Sequence, residues 1–147
     1  MSGEVPVAEM SRLLDSLENS RGVLRYALRG NLDNRGSPLL EVSIVGSCQL
    51  RCQRCLGSLE YPITLRSRLM LCDQATLDAL DDEEDESDSI LADANLDVLA
   101  LLEDEILLSL PIAPKHELGS CQAVGGENAP KDEANPFAVL AKLKVVK

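Results

Sequence analysis

Five cysteines and a single histidine are the residues of this 147-residue chain whose types and spacing could do chemistry. Cys52 and Cys55 form the CxxC of CQRC, a spacing that lets one short turn aim two sulfurs at a common point. His116 and Cys121 make a second pair, HxxxxC, after 60 intervening residues. A tetrahedral zinc site takes four N and S ligands, usually as two pairs from separate parts of a chain. Cys52, Cys55, His116 and Cys121 are therefore the candidate ligands of one structural zinc. Ordinary reduced thiols in turns are the alternative. Cys48 could replace one ligand, whereas Cys72, beside Leu71 at the end of an apolar run, reads as a small core or edge residue. An odd number of cysteines at uneven spacings argues against a disulfide framework and for a reducing compartment.

Other chemistry finds little support. A thioredoxin-type CxxC needs a helix N-terminus within a strand-helix alternation, which the flanking residues do not supply. His116 as a base for Cys121 would lack an orienting group and an oxyanion hole. Gly125-Gly126 stands without the lysine of a phosphate loop, and no carboxylate spacing singles out an acid/base pair. A non-enzyme is expected.

The elements that must position the two pairs follow from periodicity. Leu24, Tyr26 and Leu28 alternate with Arg25, Ala27 and Arg29; Leu40, Val42 and Ile44 alternate with Glu41, Ser43 and Val45. Across NLDNRGSP these runs make a hairpin, and Ile63, Leu65, Leu69 and Leu71 supply a third strand, so an antiparallel meander with one buried face is predicted. CQRC then lies in the turn between the second and third strands. Asn95 can cap a helix over Leu96 to Ser109, ended by Pro111 and Pro114, with Leu99, Leu102 and Ile106 as its apolar stripe, flanked by Val98, Leu101 and Leu108. That helix should pack the sheet and turn Asp97, Glu103 and Asp104 to water. Met10, Leu13, Leu14 and Leu17 predict a short helix over 8–17, and Asn135-Pro136 opens another from Phe137 to about Lys144. The expected fold is one α+β domain: an antiparallel meander packed by one central helix, short helices at both termini, and an acidic loop at about 78–94.

Charge divides the chain. It totals −11, but Leu69 to Pro114 holds 14 acidic residues and no Lys or Arg, which leaves the remainder at +3. DDEEDESD at 81–88 repels itself and reads as a solvated, disordered loop. The balance disfavours DNA and anionic membranes, since phosphate binding needs an excess of fixed positive charge. Apolar runs fall short of a bilayer span, and the acidic start MSGEVPVAEM lacks the features of a signal peptide, so a cytoplasmic location is expected. Between Arg21 and Arg68 the basic residues are all arginine, eight of them against Asp33, Glu41 and Glu60. Alternation puts Arg25, Arg29, Arg66 and Arg68 on the outer sheet face with Arg51 and Arg54 at its rim. Guanidinium forks suit phosphate, so these six are candidate RNA contacts, the alternative being a solvated face. Asp97, Glu103 and Asp104 are the candidate contacts for a basic protein.

Four stretches, LRCQRCLGSLEYPI (50–63), the acidic linker, LDVLALLEDEILLSLPIAPKH (96–116) with Cys121 after it, and NPFAVLAKLK (135–144), together resemble the YceD family of large ribosomal RNA subunit accumulation proteins. The resemblance implies a cytoplasmic, non-enzymatic factor needed for large-subunit (23S) rRNA accumulation, with precursor rRNA or a basic ribosomal protein as partner. It does not itself imply zinc. An acidic, zinc-stabilised adaptor for a non-ribosomal basic protein is the alternative function.

Overall fold

The structure, a computed structural model, describes residues 1–79 and 88–121. Five strands form one sheet in chain order: β1 (Ser2–Pro6), β2 (Val23–Leu32), β3 (Pro38–Arg51), β4 (Ser58–Cys72) and β5 (Ser89–Leu91). The predicted meander is its centre. β2, β3 and β4 pair antiparallel, with Tyr26 opposite Ile44 and Ile44 opposite Leu65. Val42, Ile44, Cys48 and Leu50 alternate inward along β3 and are buried with Leu24, Leu28, Ile63 and Leu69, because one face of this sheet is covered. The cover is α1 (Ser11–Leu14) and α3 (Val98–Ser109), which bury Leu13, Leu101, Leu102 and Ile106 in the same cluster. The architecture is α+β.

Gly46 lies on β3 close beside Val23 and Leu24 of β2. A Cβ there would sit 2.6 Å from Leu24 Cδ2 and 2.8 Å from the Val23 carbonyl oxygen. The backbone oxygen cannot step aside as a side-chain tip can. Gly46→Ala should therefore cost about 1–3 kcal/mol, the range of core overpacking, read as a lowered urea midpoint.

Several elements differ from the expectation. The span 8–17 folds as a 3₁₀ turn at Val7–Glu9 and the single turn of α1, because Met10, at φ −93° and ψ 82°, breaks the helix between them. Its apolar periodicity still buries Met10 and Leu13. The chain opens with a strand, β1, which pairs antiparallel with β2. β5 forms inside the stretch expected to be an acidic loop and pairs parallel with the end of β4, which requires a crossover; α2 (Gln74–Ala79) begins that connection. The remainder of the acidic run, 80–87, and the expected C-terminal helix lie outside the described residues.

α3 starts two residues later than read. Asp97, not Asn95, is its cap, accepting the Ala100 N–H at 3.0 Å. Leu108, expected beside the apolar stripe, points to solvent at 83% exposure. Glu103, expected toward water, is instead buried, with 4% of its surface exposed. The reason lies in α1, whose N-cap, Met10, has no side-chain acceptor. Glu103 Oε1 supplies it, accepting the Arg12 N–H at 2.9 Å and the Leu13 N–H at 3.4 Å. Beside it Arg12 pairs with Asp104 at 2.6 Å.

Candidate metal centre and arginine face

β3 ends at Arg51 and the chain turns through CQRC into β4. The turn is built by its own backbone: the Leu56 N–H donates to the Cys52 carbonyl at 2.9 Å, and the Cys52 N–H donates to Gly57 O at 2.9 Å. Leu56 takes φ 58° to close it, a conformation unusual for a residue with a Cβ. The Arg54 N–H points at Cys52 Sγ at 3.4 Å. The segment after α3 is clipped alongside by Gln53 N–H, which donates to Pro114 O at 2.8 Å and so delivers His116 and Cys121.

The four predicted ligands meet. One ligand atom from each of Cys52, Cys55, His116 and Cys121 lies within 4.8 Å of all the others. Cys52 Sγ is 3.9 Å from Cys121 Sγ, and Cys55 Sγ is 3.5 Å from His116 Nδ1. Sulfurs placed about 2.3 Å from a tetrahedral zinc are about 3.8 Å apart, and a nitrogen edge is slightly shorter, so these separations fit the donor set. His116 Nε2 lies 3.1 Å from the Ser58 carbonyl, which fixes Nδ1 as the free lone pair facing the thiols. Cys48, the possible substitute, is a core residue of β3 whose thiol burial pushes up to about 11, and it takes no place in the cluster.

The electrostatics ask for a cation. Burial pushes the Cys52 thiol up, but the N–H groups of Cys55, His116 and Arg54, with the His116 side chain, outweigh it and bring Cys52 down to about 5. Cys121 moves the other way, raised by burial and then by the neighbouring Cys55 and Cys52 sulfurs. Three sulfurs at one point resist joint ionisation, and a bound cation reverses that resistance. The protein's own contribution is Arg54, whose Nη1 sits 3.9 Å from Cys121 Sγ. Arg54→Gln should weaken metal affinity about 10- to 100-fold, as for loss of other groups that support metal ligands, measured by competition with a chromophoric chelator.

The six candidate RNA arginines divide. Arg54 faces the sulfurs, and Arg51 pairs with Glu18 at 2.6 Å. Arg25, Arg29, Arg66 and Arg68 are all exposed on the sheet face opposite the core. The register aligns Ala27, Ser43 and Arg66 in one cross-strand row and Arg29, Glu41 and Arg68 in the next. Together with Val45 and Asp88 these residues line a groove of about 780 Å³. Glu41, which the sequence reading passed over, lies 3.7 Å from Arg68. Of the three acids proposed for a protein partner, Asp97 is an exposed cap, Asp104 is tied to Arg12 and Glu103 is withdrawn into the core. No helix among the described residues is long and apolar enough to cross a membrane.

Comparison with known proteins agrees with the resemblance read from the motifs. The family described as large ribosomal RNA subunit accumulation protein YceD matches residues 40–144, which include all four candidate ligands. A relative from Haemophilus influenzae, named large ribosomal RNA subunit accumulation protein YceD, is 28% identical over 145 residues, covering 92% of this chain and 82% of the relative. No solved structure matches the chain. With residues 40–144 matched, from near the start of β3 to beyond Cys121, this chain belongs to the YceD family.

Proposed function

We propose that this protein is a non-catalytic factor supporting the accumulation of large-subunit rRNA, holding precursor rRNA on its arginine face and a basic ribosomal protein on its acidic segment. The observation that carries this reading is the family match over residues 40–144, whose description names large-subunit rRNA. The charge division supports the two-partner form. Four arginines stand on a sheet face that no described helix covers, while α3 and the residues before it are rich in acid and hold no base. Asp97 and Asp104 remain at the surface for the protein partner. His116 argues against acid/base chemistry, because one ring nitrogen meets a carbonyl and the other meets the thiols.

In this reading the Cys52, Cys55, His116 and Cys121 cluster holds zinc. Bound there, zinc would be four-coordinate with no open position, and so would supply structure and not reactivity. Affinity purification at low salt, with RNA and protein both identified, tests the whole proposal. Co-sedimentation with large-subunit precursors is expected, and loss of the gene should lower large-subunit rRNA. Absence of both effects overturns it. Recovery of non-ribosomal basic proteins alone would favour the adaptor reading, which the −14 segment also suits.

A further inference from the structure

We infer that the RNA element recognised by the arginine face is a double-helical stem, gripped through its sugar-phosphate backbone without regard to sequence. The inference rests on the RNA-binding reading above and deepens it. Sheet surfaces that hold single-stranded RNA do so by stacking bases on aromatic rings. Among the described residues this surface has none to offer. The chain has two tyrosines and one phenylalanine. Tyr26 and Tyr61 pack against the core on the opposite face, and Phe137 lies outside the described residues.

What the outer face presents is a fixed lattice. Arg66 and Arg68 are two residues apart on β4, about 7 Å along the strand, and Arg29 stands two strands from Arg68, about 10 Å away. Glu41 stands between Arg29 and Arg68, while Ala27 and Ser43, in the row of Arg66, are small and leave the groove floor there low enough for a backbone to approach. Glu41 and Asp88 sharpen the choice. They repel any phosphate that is out of register with the arginines. A duplex keeps its phosphates in a regular array and its bases stacked on one another, so it satisfies the lattice without exposing bases. A single strand would have to order its backbone and leave its bases unstacked over arginine, alanine and serine.

The test is fluorescence anisotropy on the full-length, metal-replete protein. The probes are a 20-base-pair RNA duplex, the same duplex with scrambled sequence, and its two unstructured component strands. The duplexes should bind equally, and at least tenfold more tightly than either strand. The variant with Arg25, Arg29, Arg66 and Arg68 all changed to Gln should lose most duplex binding and flatten the slope of log K against log salt by about 3.6, since each neutralised phosphate contributes roughly 0.9. Its thermal melt should match the parent. A second variant, Val45→Tyr, places a ring at an outer-face position that is 48% exposed. It should raise single-strand affinity several-fold and leave duplex affinity unchanged. Strands that bind as tightly as the duplex, through the same four arginines, would overturn the duplex inference while leaving the RNA reading standing. Absence of binding to every probe at low salt would overturn both.

Discussion

Cys52→Ser should leave a chain that retains its sheet and loses its metal. Protein prepared without chelator is expected to carry about one zinc per chain, and the serine variant well below that, by elemental analysis. The effect is large because Cys52 is the one ligand of the four that is fully buried, at 0% exposure, and its sulfur also accepts the Arg54 N–H. Serine cannot replace it: an alkoxide is not available at neutral pH, and the smaller oxygen stops short of a site shaped for sulfur. The consequence should stay local. The cluster joins the β3–β4 turn to the segment after α3, whereas the core of Ile44, Leu50, Ile63, Leu102 and Ile106 lies beside it and needs no metal to stay dry. Amide exchange at Gln53, whose N–H holds Pro114, should rise by orders of magnitude on chelation, while exchange in central β3 changes little. Metal-free protein from such a preparation, with Gln53 still protected, would show that hydrogen bonds alone hold the two segments together.

What could be read in advance divides along physical lines. β2, β3 and β4 were legible because a sheet covered on one face imprints a period of two on its sequence, and the meeting of Cys52, Cys55, His116 and Cys121 because Cys and His in two close pairs satisfy a demand few other roles make. The edge strands were not. β1 and β5 have five and three residues, too few for a period to register, and β5 is a strand only because β4 offers it a partner edge. The arginines show a different limit. Alternation placed Arg25, Arg29, Arg66 and Arg68 by face, but Arg51 and Arg54 sit where strand periodicity ends. Whether they meet Glu18 and Cys121 or a phosphate depends on contacts 33 and 67 residues away. Glu103 shows the same limit within a helix. Its neighbours Asp104 and Glu105 suggested a solvated face, and nothing local announces that α1 lacks a cap.

Glu103→Ala should accordingly be among the most damaging single changes outside the metal cluster, costing about 2–3 kcal/mol in urea unfolding. The substitution leaves the Arg12 and Leu13 N–H groups without an acceptor at a site that water does not freely reach, and each unmet buried donor costs about 1–3 kcal/mol. It also removes a side chain packed between α1 and α3, so part of the loss is cavity. Two comparisons separate these terms. Glu103→Gln keeps the shape and one carbonyl oxygen, so it should recover most of the stability, losing only the charge-assisted share of the two bonds. Asp104→Ala, one residue on, breaks the solvent-exposed pair with Arg12 and should cost under about 1 kcal/mol, as exposed pairs do. The expected order of urea midpoints is parent, Asp104→Ala and Glu103→Gln close together, then Glu103→Ala well below. If Glu103→Ala unfolds no earlier than Asp104→Ala, then water or a shift of α1 satisfies those amides, and the buried carboxylate is not what holds the first helix to the third.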